Sequence, residues 1–499
     1  MHKETARLVE LDREHSLVVH IGAILGWDQE TYMPSKAIEE RASQLALLEG
    51  LAHQKAVSPE VGELLATLEA KSDLSDDEKA YVRVVRRDYD RETKLPESFV
   101  TEYAKDASIS QATWVEAKRN NDFRAFEPHL ARMVELNKER ATYLNPGARP
   151  YDVLLDLYEP GSTQESIAAV FSTMKSYLVD ILGKIRSRPQ IDDKCTGLQV
   201  SARTQERISH YCMKALHYER DRGRLDVSAH PFTTTLGTDD VRITTRYIED
   251  YFPSSLFSTI HESGHALYEM GIDPNPEFRG TKLADAVSMA VHESQTRLWE
   301  NIIGRSHAFW ERNFPVLSAL LGEAGDGLDL DSFVKSVNRV SPSLIRTEAD
   351  EVTYGLHVIA RFELESALFD GNLSVGDMPA AWQAKYRDLL GIEAPDDRQG
   401  CLQDVHWSMG AFGYFPSYAL GNLYGAQFWA TLKKDVPDIE TRIAEGETLS
   451  VLRWLRANVH VHGSRYTPGE LVEKVTGQPL DPVWFERYLR EKYSKIYGF

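Results

Sequence analysis

His261-Glu262-Ser263-Gly264-His265 reads HExxH, and the stretch around it carries apolar residues at Leu256, Phe257, Ile260, Leu267 and Met270 with no proline between them. That spacing predicts a partly buried helix, started by Pro253 and Ser254-Ser255 and stopped at Gly271, with Pro274 and Pro276 in the loop beyond. Residues four apart stack on one helix face, so His261 and His265 present two imidazoles to one ion. Glu262 lies beside that face, where its carboxylate reaches a water activated at the metal rather than the metal itself. Composition alone yields the five-residue pattern in roughly a few per cent of chains this long. The surrounding residues therefore decide.

A catalytic zinc usually takes three protein ligands and keeps one position open for water. A second helical pattern runs from about Leu283 to Ile303, with Ala286, Met289 or Ala290, Glu293, Arg297 and Glu300 along one stripe. It offers Glu293 to a facing helix. Glu269 continues the spacing of the two histidines, but eight residues of helix rise about 12 Å, too far for one ion at bond lengths of about 2 Å. Glu269 reads as a supporting or structural residue. The longer pattern HExxHxxGxxH fails at Tyr268 and Gly271, and an aminopeptidase-like spacing would need an acid near Ala284. The expected ligands are His261, His265 and Glu293, with Glu262 as the base. These donors suit one Zn²⁺ per chain, and Co²⁺ or Mn²⁺ can occupy the same set.

Across its 499 residues the sequence is mostly of helical pattern, rich in Leu, Ala, Glu, Arg and Lys, between short candidate loops. It has no repeat, long linker or sharp change of composition, which predicts a single domain over 1–499. The expected fold is mainly α: a large helical body, in one piece or as two lobes, around a long groove. One segment stands apart. Phe232 to Leu236 and Val241 to Tyr247 are rich in β-branched residues around Gly237-Thr238-Asp239-Asp240, a hairpin signal just before the HExxH helix. Val241, Ile243, Thr245 and Tyr247 should share one face, and Arg242, Thr244 and Arg246 the other.

The net charge of −19, from 57 basic and 76 acidic residues, argues against nucleic-acid binding and against a polybasic membrane anchor. Cys195, Cys212 and Cys401 are widely spaced and read as reduced, mostly buried thiols. The first residues show no signal-peptide core, and no apolar run is long enough to span a bilayer, so a cytoplasmic location is expected.

Several separated motifs give the chain a resemblance. They are His230-Pro231-Phe232 (HPF), Asp240 to Thr244 (DxRxT), His261 to His265 (HExxH) and His292-Glu293-Ser294-Gln295 (HESQ). Ile345 to Glu351 (IRxxADE) and Gly400 to Trp407 (GxxQDxHW) follow, with Gly26 to Thr31 and Ile496 to Phe499 at the two ends. In this order, and over essentially the whole chain, the sequence resembles the carboxypeptidase Taq family of metallocarboxypeptidases. The resemblance implies release of single residues from peptide C-termini, broad side-chain tolerance, a helical body with a groove, and a homodimer.

Within that reading Glu262 takes a proton from the attacking water and returns it to the leaving nitrogen. Tyr418 and Tyr424 are the candidates for stabilising the oxyanion, and each reads equally well as a core residue. A guanidinium binds a terminal carboxylate in bidentate fashion and so selects the last peptide bond. Arg346 is the first candidate and Arg242 the second, against the alternative that they pair with neighbouring acids such as Asp350 and Asp240. His230 and His406 are further candidates for the substrate site, and Gln403 with Asp404 for orienting a ligand imidazole. Two other functions stay open: a metal-dependent oligopeptidase that cuts internally, and a peptide-binding protein with a spent site.

Overall fold

A computed structural model describes residues 1–499, and 69 % of them are helical, against one sheet of three short strands. The mainly α expectation holds. The largest body of core, 86 buried residues, runs from Phe99 to Tyr497 and takes in the HExxH helix and the C-terminal helices. A separate cluster of 12 joins Leu8 and Val9 of the first helix, Lys3–Thr31, to the helices Pro59–Glu69 and Asp76–Thr93 and to Phe278 and Leu283. No helix is long and apolar enough to cross a membrane. Cys212 and Cys401 are buried, Cys195 is half-buried, and all three are free thiols.

The HExxH helix spans Pro253–Glu269, with proline in its first turn, where the missing N–H costs nothing. Leu256, Phe257, Ile260 and Leu267 are buried along it, as their spacing requires. The second predicted helix is shorter than its periodicity suggests. Lys282–Ala284 forms one 3₁₀ turn, and the regular helix begins only at Met289, capped by the Ser288 hydroxyl accepting from the Val291 N–H at 3.1 Å. A tertiary contact explains the break. Ser464 donates its N–H to the Leu283 carbonyl and its hydroxyl to the Asp285 carbonyl, so those oxygens are taken before a helix can use them. Beyond Arg297 the helix widens into a π turn over Leu298–Ile303.

The predicted hairpin is present as β2 (Thr233–Thr235) and β3 (Val241–Thr245), antiparallel with Thr233 opposite Ile243. A further strand, β1 (Leu225–Val227), lies parallel to β3 on its other side, giving the order β1-β3-β2. The two-faced pattern expected for β3 is corrected at two places. The strand ends before Tyr247, and Thr244 is buried, its hydroxyl 2.6 Å from that of Ser228 and accepting the Phe232 N–H at 3.0 Å. Val241 and Ile243 pack with Ala266 and Met270 in a small core that joins the sheet to the HExxH helix.

Candidate active site

Three helices meet with little space between them. A Cβ on Gly264 would lie 2.8 Å from the Thr296 Cα, so the HExxH helix and the Met289–Arg297 helix approach at backbone contact. On the other flank, the Phe415–Asp435 helix brings Gly421 against Glu293, where a Cβ would fall 2.7 Å from the Glu293 Cγ. The acid is thereby pushed toward the imidazoles. His261 Nε2 lies 3.8 Å and His265 Nε2 3.7 Å from Glu293 Oε2. Donor atoms of the three residues all lie within 4.8 Å of one another. Ligands about 2.0–2.2 Å from a tetrahedral ion stand about 3.4 Å apart, so this triangle needs only slight contraction to close on one.

Each of the three is aimed by a partner. His261 Nδ1–H donates to Glu300 Oε2 at 2.9 Å, which leaves the Nε2 lone pair facing the centre. Glu269 only accepts, so the His292 Nε2–H donates to it at 2.7 Å, and His292 Nδ1 is left as an acceptor. The His265 Nδ1–H donates to that nitrogen, and the His265 Nε2 lone pair also turns inward. Arg297 holds the other oxygen of Glu293, Oε1, at 2.7 Å through Nε and at 2.6 Å through Nη2, leaving Oε2 to the imidazoles. The donor set, two imidazoles of defined tautomer and one singly presented carboxylate oxygen, fits a divalent ion of zinc type.

Glu262 is 7 % exposed, and its Oε2 accepts from the Thr233 hydroxyl at 2.6 Å, which ties the carboxylate to strand β2. Burial raises its pKa, against the opposing effects of His261 and Thr233. Burial works the same way on Glu300, but His261, Arg305 and Arg297 together hold that carboxyl well below the usual range. It stays an anion beneath the imidazole. Of these partners, spacing marks Glu269 as a supporting residue. Glu300 and Arg297 are visible in the sequence only as stripe neighbours of Glu293, and His292 only as part of a motif.

The substrate-site candidates divide. Arg346 is 5 % exposed and pairs not with Asp350 but with Asp404, through Nε at 3.1 Å and Nη2 at 3.0 Å, while Nη1 donates to the Tyr354 hydroxyl at 3.1 Å. Asp350 instead caps the Glu351–Phe369 helix. Asp404 also takes Arg361 through Nε at 2.7 Å, and Gln403 Oε1 accepts from Arg361 at 2.8 Å. Two guanidiniums thus share one carboxylate, and the cluster keeps an excess positive charge. The expectation that Gln403 and Asp404 orient a ligand imidazole is corrected: they hold arginines, and Glu300 and His292 hold the imidazoles.

The Tyr418 ring lies 4.8 Å from the Arg346 guanidinium, and its hydroxyl is 3.4 Å from His406 Nε2. Burial, with Arg346 and Arg361 nearby, lowers the His406 pKa to about 4 and keeps that ring neutral. Tyr424 is elsewhere. It is buried with its hydroxyl donating to Glu159 at 2.7 Å, the core alternative of the two considered. Arg242 forms a bidentate pair with Asp240 at 2.8 and 2.7 Å and stacks 4.4 Å from the Trp27 ring. His230 is exposed just before β2.

The sequence model of the carboxypeptidase Taq (M32) metallopeptidases matches residues 7–493. Thermostable carboxypeptidase 1 of Thermus thermophilus is 44 % identical over 98 % of both chains, and carboxypeptidase 1 of Bacillus subtilis is 39 % identical over 95 % of both. The crystal structure of an M32 carboxypeptidase from Deinococcus radiodurans superposes with a TM-score of 0.97, at 40 % identity and full coverage of both chains. With its donor triangle carried on HExxH and HESQ, the chain belongs to the carboxypeptidase Taq (M32) metallopeptidase family and is a metal-dependent carboxypeptidase.

Proposed function

We propose that this chain releases single amino acids from the C-termini of peptides, with broad tolerance of the terminal side chain. The observation that carries the reading is the convergence of His261 Nε2, His265 Nε2 and Glu293 Oε2 beside the carboxylate of Glu262. Zn²⁺ is the proposed occupant, with Co²⁺ and Mn²⁺ as alternatives; when bound, it supplies a Lewis acid for the scissile carbonyl and lowers the pKa of water. Glu262 Oε1 and Oε2 take the proton of the attacking water and deliver it to the leaving nitrogen, while Thr233 holds the carboxylate in place. Tyr418 is the proposed donor to the developing oxyanion.

Arg346 is the proposed reader of the terminal carboxylate. The excess positive charge that it shares with Arg361 over Asp404 supports the assignment, because a buried cation with spare N–H groups favours an anionic partner. Strand β2 pairs only with β3, so its other edge is free to take the peptide backbone as an added strand next to Glu262. A homodimer and a cytoplasmic location complete the proposal, resting on family membership and the acidic composition; sedimentation and cell fractionation test them.

The deciding experiment is mass spectrometry of an unstructured peptide and its C-terminally amidated copy, each incubated with metal-loaded protein. A ladder of single C-terminal losses that amidation suppresses is expected. Internal fragments from both peptides would establish the oligopeptidase instead. Intact peptides with zinc, cobalt and manganese would leave a peptide-binding protein.

A further inference from the structure

A second cavity, of about 450 Å³, lies apart from the donor triangle, between the Phe415–Asp435 helix, the C-terminal helix Val483–Tyr497 and the π turn. That size falls within the range of small-molecule sites, about 300–1,000 Å³. Its walls are apolar, with Ile302, Val334, Trp429, Ile443 and Ile496 among them. Its rim is cationic, on a protein whose net charge is −19.

The charges are not all spoken for. Lys433 pairs with Glu440 at 3.2 Å and Lys495 with Glu491 at 3.0 Å, which uses both acids of the rim. Lys492 is held by Glu351, and Arg305 by Glu300. Arg487 has no carboxylate partner and sits 5.0 Å from the Trp484 ring. Trp484 lines the cavity too. An apolar chamber and an unpaired guanidinium together lack one thing: an apolar body that ends in an anionic oxygen.

We infer that this cavity is a binding site for a small amphiphilic anion, an aromatic or aliphatic acid, with its hydrocarbon between Ile302, Trp429 and Ile496 and its acid group at Arg487. None of the three donor residues lines it. Its ligand is a monoanion rather than a zwitterion, because the two rim acids are already neutralised and leave nothing for an ammonium group.

The test uses the metal-loaded full chain and 8-anilinonaphthalene-1-sulfonate, whose fluorescence rises in apolar surroundings, with 4-phenylbutyrate and 4-phenylbutanol as competitors. One saturable site is expected, displaced by the acid at least about tenfold better than by the alcohol. Ala430→Trp, which fills the chamber, should weaken the dye by about tenfold or more, and Arg487→Glu, at an exposed position, by about fivefold. Peptide hydrolysis should stay unchanged in both variants. Equal competition by acid and alcohol would overturn the anionic head. Dye affinity unaltered by Arg487→Glu and by Ala430→Trp, or no saturable binding, would overturn the site.

Discussion

Glu300 accepts from His261 Nδ1 and from Arg305, so removing its charge frees the imidazole to rotate and to present the wrong tautomer. Glu300→Gln is expected to weaken metal binding by about 10–100-fold, the range typical of partners that orient a ligand, as read by chelator competition. Glu262 has the opposite signature, because it is not one of the triangle's donors and is anchored by Thr233 instead. Glu262→Gln is expected to leave metal content unchanged while peptide hydrolysis falls by about 10²–10⁴-fold, the usual contribution of a general base. A variant that lost metal along with activity would place Glu262 among the ligands. The pair of measurements separates proton transfer from metal retention at two carboxylates of the same centre.

At the scale of elements, the site depends on how closely helices can approach. Gly421 leaves no room for a methyl group, since its Cβ would lie 2.7 Å from Glu293 Cγ and 2.8 Å from Glu293 Cβ. Gly421→Ala is expected to cost about 1–3 kcal/mol of stability by overpacking and to weaken metal binding, because Glu293 is what must move. Gly183, in the Gln164–Arg186 helix, has nothing within 4 Å of its Cβ position. Gly183→Ala should instead stabilise by up to about 1 kcal/mol through helix propensity alone, with metal binding untouched. Denaturant titrations and metal affinities of the two variants check both signs. Periodicity predicts the existence of the Glu293 helix but not its start. Leu283 to Ser288 carries a helical stripe, and the competing hydrogen bonds come from Ser464, about 180 residues later. Sequence distance hides such a competitor.

Over the whole molecule, buried carboxyls join segments far apart in the chain. Glu159 follows the Pro150–Tyr158 helix, accepts from Tyr424, and faces Ser288 and the Ala290 N–H at the start of the Glu293 helix. Burial pushes its pKa up to about 7, against the hydrogen bond from Tyr424. A carboxyl whose pKa is raised in the folded state binds its proton more tightly there than when unfolded. Its contribution is therefore fully present below the ordinary carboxyl range and is lost as pH rises through about 7. Between pH 4.5 and 8 the wild type should lose about 2–3 kcal/mol more stability than Glu159→Gln, since each pH unit between the unfolded and folded pKa is worth about 1.4 kcal/mol. Urea titrations across that range measure the difference, and parallel pH profiles would refute it.

What the sequence determined by itself is what is local or carried by motif. The HExxH helix and its ends, the hairpin before it, the helical class and the identity of His261, His265, Glu262 and Glu293 as candidates all follow from residue type and spacing. What needed the tertiary structure is every choice between partners distant in sequence. Spacing could offer Arg346 only its neighbour Asp350, and the folded chain supplies Asp404 instead. It could weigh Tyr418 against Tyr424 but not separate them, because both lie on one helix and only packing sends one to Arg346 and the other to Glu159. Strand β1, the π turn at Glu300 and the Glu269–His292–His265 chain belong to the same class. Helical and strand periods are set by each residue's near neighbours, whereas ion pairs and buried hydrogen bonds are set by whichever groups close packing leaves with no water to turn to.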